Sequence, residues 1–213
     1  MSRFRVLAIT TALTASLALG GCISLLPKTK PAQLYRFGES IGAAAPAAPT
    51  LAGGPQTGLL LSSGFTHLAE GDRILTTTGS QTAYIAESRW VVPASELFSE
   101  AAVRAFETSG APFRMMQRGD IGASNAALRI DVETFEADYP ADGKGAPTVV
   151  VRTRVLFTRP GHGATSSSEF VSSQPAGENR VSAIVQAYDA ATADVLKQIV
   201  GWTTTQAGSA AAS

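Results

Sequence analysis

Two segments of alternating polarity constrain the fold more than any other part of the chain. In residues 127–137, Leu128, Ile130 and Val132 alternate with Arg129, Asp131 and Glu133. In residues 148–159, Val149, Val151, Thr153, Val155 and Phe157 alternate with Arg152 and Arg154. A period of two belongs to a strand with one buried face. Asp142-Gly143 lies between the segments and favours the tight turns that join antiparallel strands. A hairpin centred there sets Asp131 opposite Arg154, Glu133 opposite Arg152, Ile130 opposite Val155 and Leu128 opposite Phe157. Cross-strand pairs of this kind contribute roughly 0.2–1 kcal/mol each. Pro140 and Pro147 interrupt the ladder near the tip, so the loop is longer than two residues.

The other elements follow from composition and spacing. Residues 58–63 (GLLLSS) read as a buried strand. Residues 72–78 and 81–89 flank a Thr-Gly-Ser turn and read as a second hairpin, with Tyr84 on one face of its second arm. Residues 94–109 read as a helix: Leu97, Phe98, Ala101, Ala102, Ala105 and Phe106 form one stripe. Ser95 is expected to cap it, Glu96 and Glu100 lie near the positive end of its dipole, and Gly110 then Pro112 stop it. Residues 113–117 read as a strand. After a turn at Pro160-Gly161-His162-Gly163, residues 165–173 return as a Ser-rich strand near an edge. Residues 178–201 form the last helix, capped by Asn179, with Val181, Ile184, Val185, Tyr188, Val195 and Ile199 on one face and Trp202 just beyond. Two helices with one apolar stripe each pack on one face of an antiparallel or mixed sheet. That is an α+β fold, a two-layer sandwich.

The N-terminus carries a different kind of signal. Arg3 and Arg5 precede an uncharged apolar stretch at 6–19, and Leu19-Gly20-Gly21 leads to Cys22, the single cysteine of the chain. The pattern is a secretory signal ending in a lipobox, so residues 1–21 read as a signal peptide and Cys22 as the lipid-attachment residue. A transmembrane anchor is the alternative, since residues 6–27 are uncharged and roughly 20 apolar residues cross a bilayer. Threonines, a serine and two glycines dilute that run, and it ends in a cysteine at the lipobox position. Ile23, rather than aspartate, follows the cysteine, which points to the periplasmic face of the outer membrane. Residues 22–57 read as the lipidated N-terminus and a linker. Within them, 38–57 are rich in Ala, Pro and Gly and hold too little apolar surface to fold, letting the domain stand off the membrane. The segment 33–37 (QLYRF) reads as an edge strand or a docking segment. The folded domain spans 58–205, and 206–213 read as a disordered tail.

The sequence offers little for catalysis. Without Arg3 and Arg5 the mature chain carries 15 basic and 17 acidic side chains, and no basic cluster suggests nucleic acid. No second cysteine remains for a disulfide. His67 and His162 lack partners at metal-ligand spacing, and no metal or cofactor is implied. No nucleophile elbow, phosphate loop or dinucleotide fingerprint is present. Ser166, Ser167 and Ser168 fit an edge strand. Of the carboxylates Asp120, Asp131, Glu133 and Asp138, arginine partners account for Asp131 and Glu133. The chain therefore reads as a binding protein and not an enzyme. Tyr84, Trp90 and Pro93, around the junction of a strand and a helix, are the candidate partner-binding residues. Trp90 is either core or the edge of an exposed groove. Met115 and Met116 suit either core or an adaptable apolar surface.

Taken together, the lipobox ending at Cys22, the segment Leu34-Tyr35-Arg36-Phe37, Ala83-Tyr84 with Glu87-Ser88-Arg89-Trp90, Val92-Pro93, the helix at 95–107 and the long closing helix form a pattern. It resembles the ABC-type transport auxiliary lipoproteins, partners of paraquat-inducible and MCE-type intermembrane lipid transport systems. The resemblance spans most of residues 34–202. The chain departs from it in its long Ala/Pro stretch and in Val91, where the family often has a small residue. The resemblance implies no catalytic residues. It implies a periplasmic accessory of a phospholipid-moving ABC system, held to the membrane through Cys22 and touching an MCE-domain substrate-binding protein. A structural or assembly lipoprotein of the cell envelope is the rival reading. A direct lipid carrier is a third, which the Ala-rich helices argue against because they imply a filled core.

Overall fold

The structure, a computed structural model, describes residues 31–42, 57–116, 126–159 and 165–209. The signal peptide, Cys22, residues 43–56 of the expected linker, Asp120 and His162 lie outside the described residues. Within them the order is β1 (Gln33–Tyr35), β2 (Thr57–Phe65), β3 (Arg73–Thr78), β4 (Gln81–Trp90), α1 (Ala94–Thr108), β5 (Phe113–Met116), β6 (Ala126–Tyr139), β7 (Thr148–Thr158), β8 (Thr165–Pro175) and α2 (Val181–Ser209). The fold is α+β, with a mixed sheet.

β6 is the spine of the sheet. β7 lies antiparallel along one side of it, and β8 follows β7. The other side of β6 is shared by two parallel strands. β2 takes its first half, from Leu59↔Ala126 to Phe65↔Val132, and β3 takes its end, from Thr76↔Ala137 to Thr78↔Tyr139. β5 extends β2, while β4 and then β1 extend β3. The sheet therefore forks on that side of β6.

The β6–β7 register places Asp131 opposite Arg154, Ile130 opposite Val155 and Leu128 opposite Phe157, as the alternation predicts. Glu133 differs. A bulge between Val132 and Thr134 sets Thr134, not Glu133, opposite Arg152. One extra residue in a strand breaks the phase of everything beyond it. The Glu133 carboxylate instead meets Arg154 at 3.0 Å, and Glu169 on β8 meets the same guanidinium at 3.2 Å. Asp131 pairs with Arg129 of its own strand at 2.9 Å. At the tip, Lys144 donates its backbone N–H to Asp142 Oδ1 (3.0 Å), and Gly143 takes a left-handed φ of 65°.

α1 buries Leu97, Phe98, Ala101, Ala102 and Phe106, the stripe read from sequence, and Gly110 beyond its end has φ 70°. Ser95 is not its cap. Pro93 occupies that position, and the Ser95 hydroxyl donates to the Glu70 carbonyl (3.0 Å). The first helical N–H groups are met by the β2–β3 loop, Ala94 donating to Gly71 (2.9 Å) and Ser95 to Glu70 (3.2 Å).

α2 runs past the expected end at 201 and takes in residues 206–209 of the expected tail. Small and polar as residues 203–207 are, they have local partners. Thr203, Thr204 and Thr205 each donate a hydroxyl proton to the carbonyl four residues back, Ala207 is buried, and its carbonyl accepts from the Arg159 guanidinium. Asn179 does not cap this helix. Its Oδ1 accepts from the Tyr139 hydroxyl (2.8 Å), and Arg180 supplies the first helical carbonyl, to Ile184.

An aromatic cluster joins the layers. The Phe37 ring centroid lies 5.0 Å from Trp90 and 5.1 Å from Phe135, and Tyr188 of α2 lies 5.2 Å from Trp90 and 4.8 Å from Phe135. Offset and edge-on pairs at such separations add to simple burial. Tyr188 donates its hydroxyl to the Leu75 carbonyl at 2.8 Å. Burial, helped by Glu136 and Tyr139, pushes its phenol well above the usual tyrosine range, so it remains a neutral donor.

Phe37 enters this cluster from a segment expected to be peripheral. β1 pairs parallel with β4, settling 33–35 as an edge strand. Residues 38–42, expected to be linker, are also packed. The Gly38 N–H donates to Asp189 Oδ1 on α2 (2.5 Å), its carbonyl accepts from Arg104 on α1 (2.7 Å), and Ile41 is buried. The stretch escapes the compositional expectation because one isoleucine and the adjoining Phe37 suffice to seat it. Gly38 and Gly42, at φ 85° and 82°, turn the backbone where side chains fit poorly.

Candidate functional site

The β4–α1 junction owes its shape to an irregular strand. β4 pairs with β3 at Leu75↔Tyr84 and again at Arg73↔Arg89, so four residues of β4 face Ile74 alone. Glu87 within this bulge takes a left-handed φ of 54°. The bulge resets the phase of the strand and turns Trp90 inward. Trp90 is 2% exposed and packs edge-on against Phe37 and Tyr188. It is a core residue, and the expectation that it touches a partner is withdrawn. Pro93 is exposed at the start of α1, and Val91 beside Trp90 is exposed too.

Tyr84 is half-buried and occupied on both sides of its chemistry. The Arg73 guanidinium stands 4.1 Å from its ring centroid, a cation–π contact, and its hydroxyl donates to the Leu68 carbonyl at 3.0 Å. Tyr84 and Pro93 are thus held by different neighbours, one by β3 and the β2–β3 loop, the other by the helix start. Of the three candidate residues, the structure leaves Pro93 the most open.

A larger surface escaped the sequence reading. Between α1 and the β2–β5 pair runs a groove of roughly 380 Å³, with Leu60, Leu61, Val103, Met115 and Met116 as its apolar lining and Glu107 on its rim. Ser63 and Ser99 close one side through hydroxyls 2.6 Å apart. The methionine pair therefore plays both expected parts: Met116 is buried, while Met115 is half-buried. The signal was the leucine run in GLLLSS. In a strand, three consecutive leucines cannot all face one core, and here only Leu59 is fully buried, while Leu60 and Leu61 are half-buried. A second cleft, of roughly 360 Å³, is lined by Arg36, Phe37, Glu39, Leu97, Glu100 and Arg104.

The titratable groups are mostly paired at the surface. His67 is 95% exposed at its side chain, with Nδ1 3.3 Å from Glu70. Burial raises the Glu136 carboxyl above its usual value; a Thr77 hydroxyl partly offsets this, and nearby Asp138 adds to it. Among the described residues no group of three or more His, Cys, Asp or Glu side chains is placed to hold a metal ion, and no helix is long and apolar enough to cross a membrane. The arrangement offers contact surfaces: an apolar groove edged by hydroxyls and a carboxylate, and an exposed strand–helix junction.

The family model for the ABC-type transport auxiliary lipoprotein component matches residues 61–200. Protein XCC0632 from Xanthomonas campestris is similar in fold at TM-score 0.63 and 25% identity, over 73% of this chain and 89% of that one. A further solved structure, of an uncharacterized protein, is similar at TM-score 0.61 and 12% identity, over 80% of this chain and 97% of that one. No curated protein matches the chain.

Proposed function

The chain belongs to the family of ABC-type transport auxiliary lipoprotein components, and on that premise we propose that it is the lipid-anchored, non-catalytic accessory of an MCE-type ABC system for intermembrane phospholipid transport. The family match across residues 61–200 carries this reading. In it, residues 1–21 are removed, Cys22 is lipidated, and the protein sits on the periplasmic face of the outer membrane. Each buried methylene of an acyl chain contributes about 0.8 kcal/mol, so the two or three chains of a bacterial lipoprotein hold it firmly. Its partner is an MCE-domain substrate-binding protein of the transporter. The groove between α1 and β2–β5 is the docking surface of choice, since Leu60, Leu61, Val103 and Met115 give it an adaptable apolar floor.

The test is in-cell crosslinking of the full-length lipidated protein with a photoreactive residue in place of Val103, partners being identified by mass spectrometry. Recovery of an MCE-domain protein, reduced when Leu61→Asp is added on the facing strand, supports the reading. Recovery of cell-wall or secretion components alone overturns it in favour of an assembly lipoprotein.

A further inference from the structure

The position of the first strand changes what the tether does. Were residues 38–57 the spacer, the domain would range freely. With β1 starting at Gln33 and the chain packed to Gly42, only residues 23–32 separate Cys22 from the sheet. Eleven residue steps reach at most about 40 Å when fully extended. A relaxed flexible chain of that length spans about 18 Å. A domain of this size has a radius of gyration of about 15 Å. The tether is therefore comparable to the domain's own radius, and it leaves from β1, at an edge of the sheet.

That edge carries exposed apolar side chains. Leu34 in β1 is 62% exposed, and Val91, just past β4, is 41% exposed. The two are tied together: Val91 donates its N–H to the Tyr35 carbonyl at 2.8 Å, and Leu34 is the register partner of Arg89. Alternation sets Leu34, Arg89 and Val91 on the face opposite Tyr35 and Trp90. The flanking cations carry their own partners, Arg36 with Glu39 at 3.5 Å and Arg89 with Asp72 at 2.8 Å. The edge thus presents apolar groups among neutralised charges, chemistry that suits a lipid headgroup–acyl boundary without demanding anionic lipid.

We propose that the β1–β4 edge rests on the bilayer that holds the anchor, with Leu34 and Val91 entering its interface. A contact too weak to hold the domain alone suffices here, because a short tether keeps its effective concentration high. The proposal rests on the lipidation of Cys22.

The experiment uses the full lipidated chain in vesicles of phosphatidylethanolamine and phosphatidylglycerol. Leu34→Cys, Val91→Cys or Val171→Cys carries an environment-sensitive NBD label. Lipidation consumes the chain's one native cysteine, so each introduced thiol is the sole reactive one. Val171 is the control: it is also exposed, on β8, five strand spacings or about 24 Å along the sheet from β1. The expected result is blue-shifted, brighter emission shielded from aqueous iodide at 34 and 91, unchanged by salt or by neutral phosphatidylcholine, with water-like emission at 171. Water-like emission at 34 and 91 on protein that floats with the vesicles and carries the anchor mass overturns the resting edge and leaves the anchor standing. Shielding that grows with protein-to-lipid ratio marks contact with a second copy and overturns it as well. Protein that does not float, with Cys22 free by mass, removes the anchor and the proposal with it.

Discussion

β7 pairs with β6 at eleven positions, interrupted by one bulge, whereas β1 pairs with β4 at only three. The β6–β7–β8 meander is held by neighbours close in sequence, each side chain bearing a small share. The N-terminal segment is held by few contacts, all distant in sequence: Phe37 in the aromatic cluster, and Gly38 between Asp189 and Arg104. The meander has redundancy and the N-terminal segment does not. Single changes should therefore cost far more in the second region than in the first.

Phe37→Ala is expected to have the largest effect. Truncating a buried phenylalanine costs about 3–5 kcal/mol, and here it also frees β1. Chemical denaturation should show that loss, and limited proteolysis should cut near residues 33–42 before anywhere else in the domain; a loss of under about 1 kcal/mol would erase the contrast. Next comes the glycine pair. A Cβ on Gly38 would stand 3.0 Å from Ala101 Cβ at φ 85°, whereas Gly143 has φ 65° and nothing within 4 Å. Left-handed backbone costs a residue with a Cβ about 1–2 kcal/mol, so Gly143→Ala pays that alone and Gly38→Ala more. Equal melting-temperature drops would break the comparison.

Arg154→Ala sharpens it from the other side. The guanidinium meets two carboxylates but its side chain is 52% exposed, and exposed pairs contribute about 0.2–1 kcal/mol. A denaturation midpoint shifted beyond that range would mean the meander is less redundant than its ladder suggests. The smallest effect belongs to Glu136→Gln. Burial raises this carboxyl in the folded state, so the native protein holds the proton more tightly than the unfolded chain. Stability from this group is present in acid and is lost as pH rises through the raised value. The glutamine variant should melt slightly above the parent at neutral pH. That advantage should vanish at about pH 3.5, below the unperturbed glutamate value of roughly 4.3.

What the sequence disclosed follows the same division. The meander was legible because period-two polarity and an Asp-Gly turn fix register locally, and the reading failed only past the bulge at Val132–Thr134, which no residue type announces. α1 was legible from its stripe, but its cap was not. Ser95 satisfied the cap rule in composition, while the donors went to Glu70 and Gly71 from a loop 25 residues back. β1 is too short for a period, and the seating of Phe37 and Gly38 depends on partners about 50 to 150 residues away. Trp90 stayed ambiguous because the bulge around Glu87 decides which way it points. The groove was hidden because its walls come from α1, β2 and β5, brought together only by the parallel β2–β5 pairing.

The seating of Phe37 has a mechanical consequence. If Cys22 carries the proposed anchor, tension on it enters the domain at Gln33 and meets the Phe37 ring four residues later, like a cord drawn against a knot. Under load the domain should yield first by withdrawal of that ring from Trp90 and Phe135, leaving β6, β7 and β8 intact.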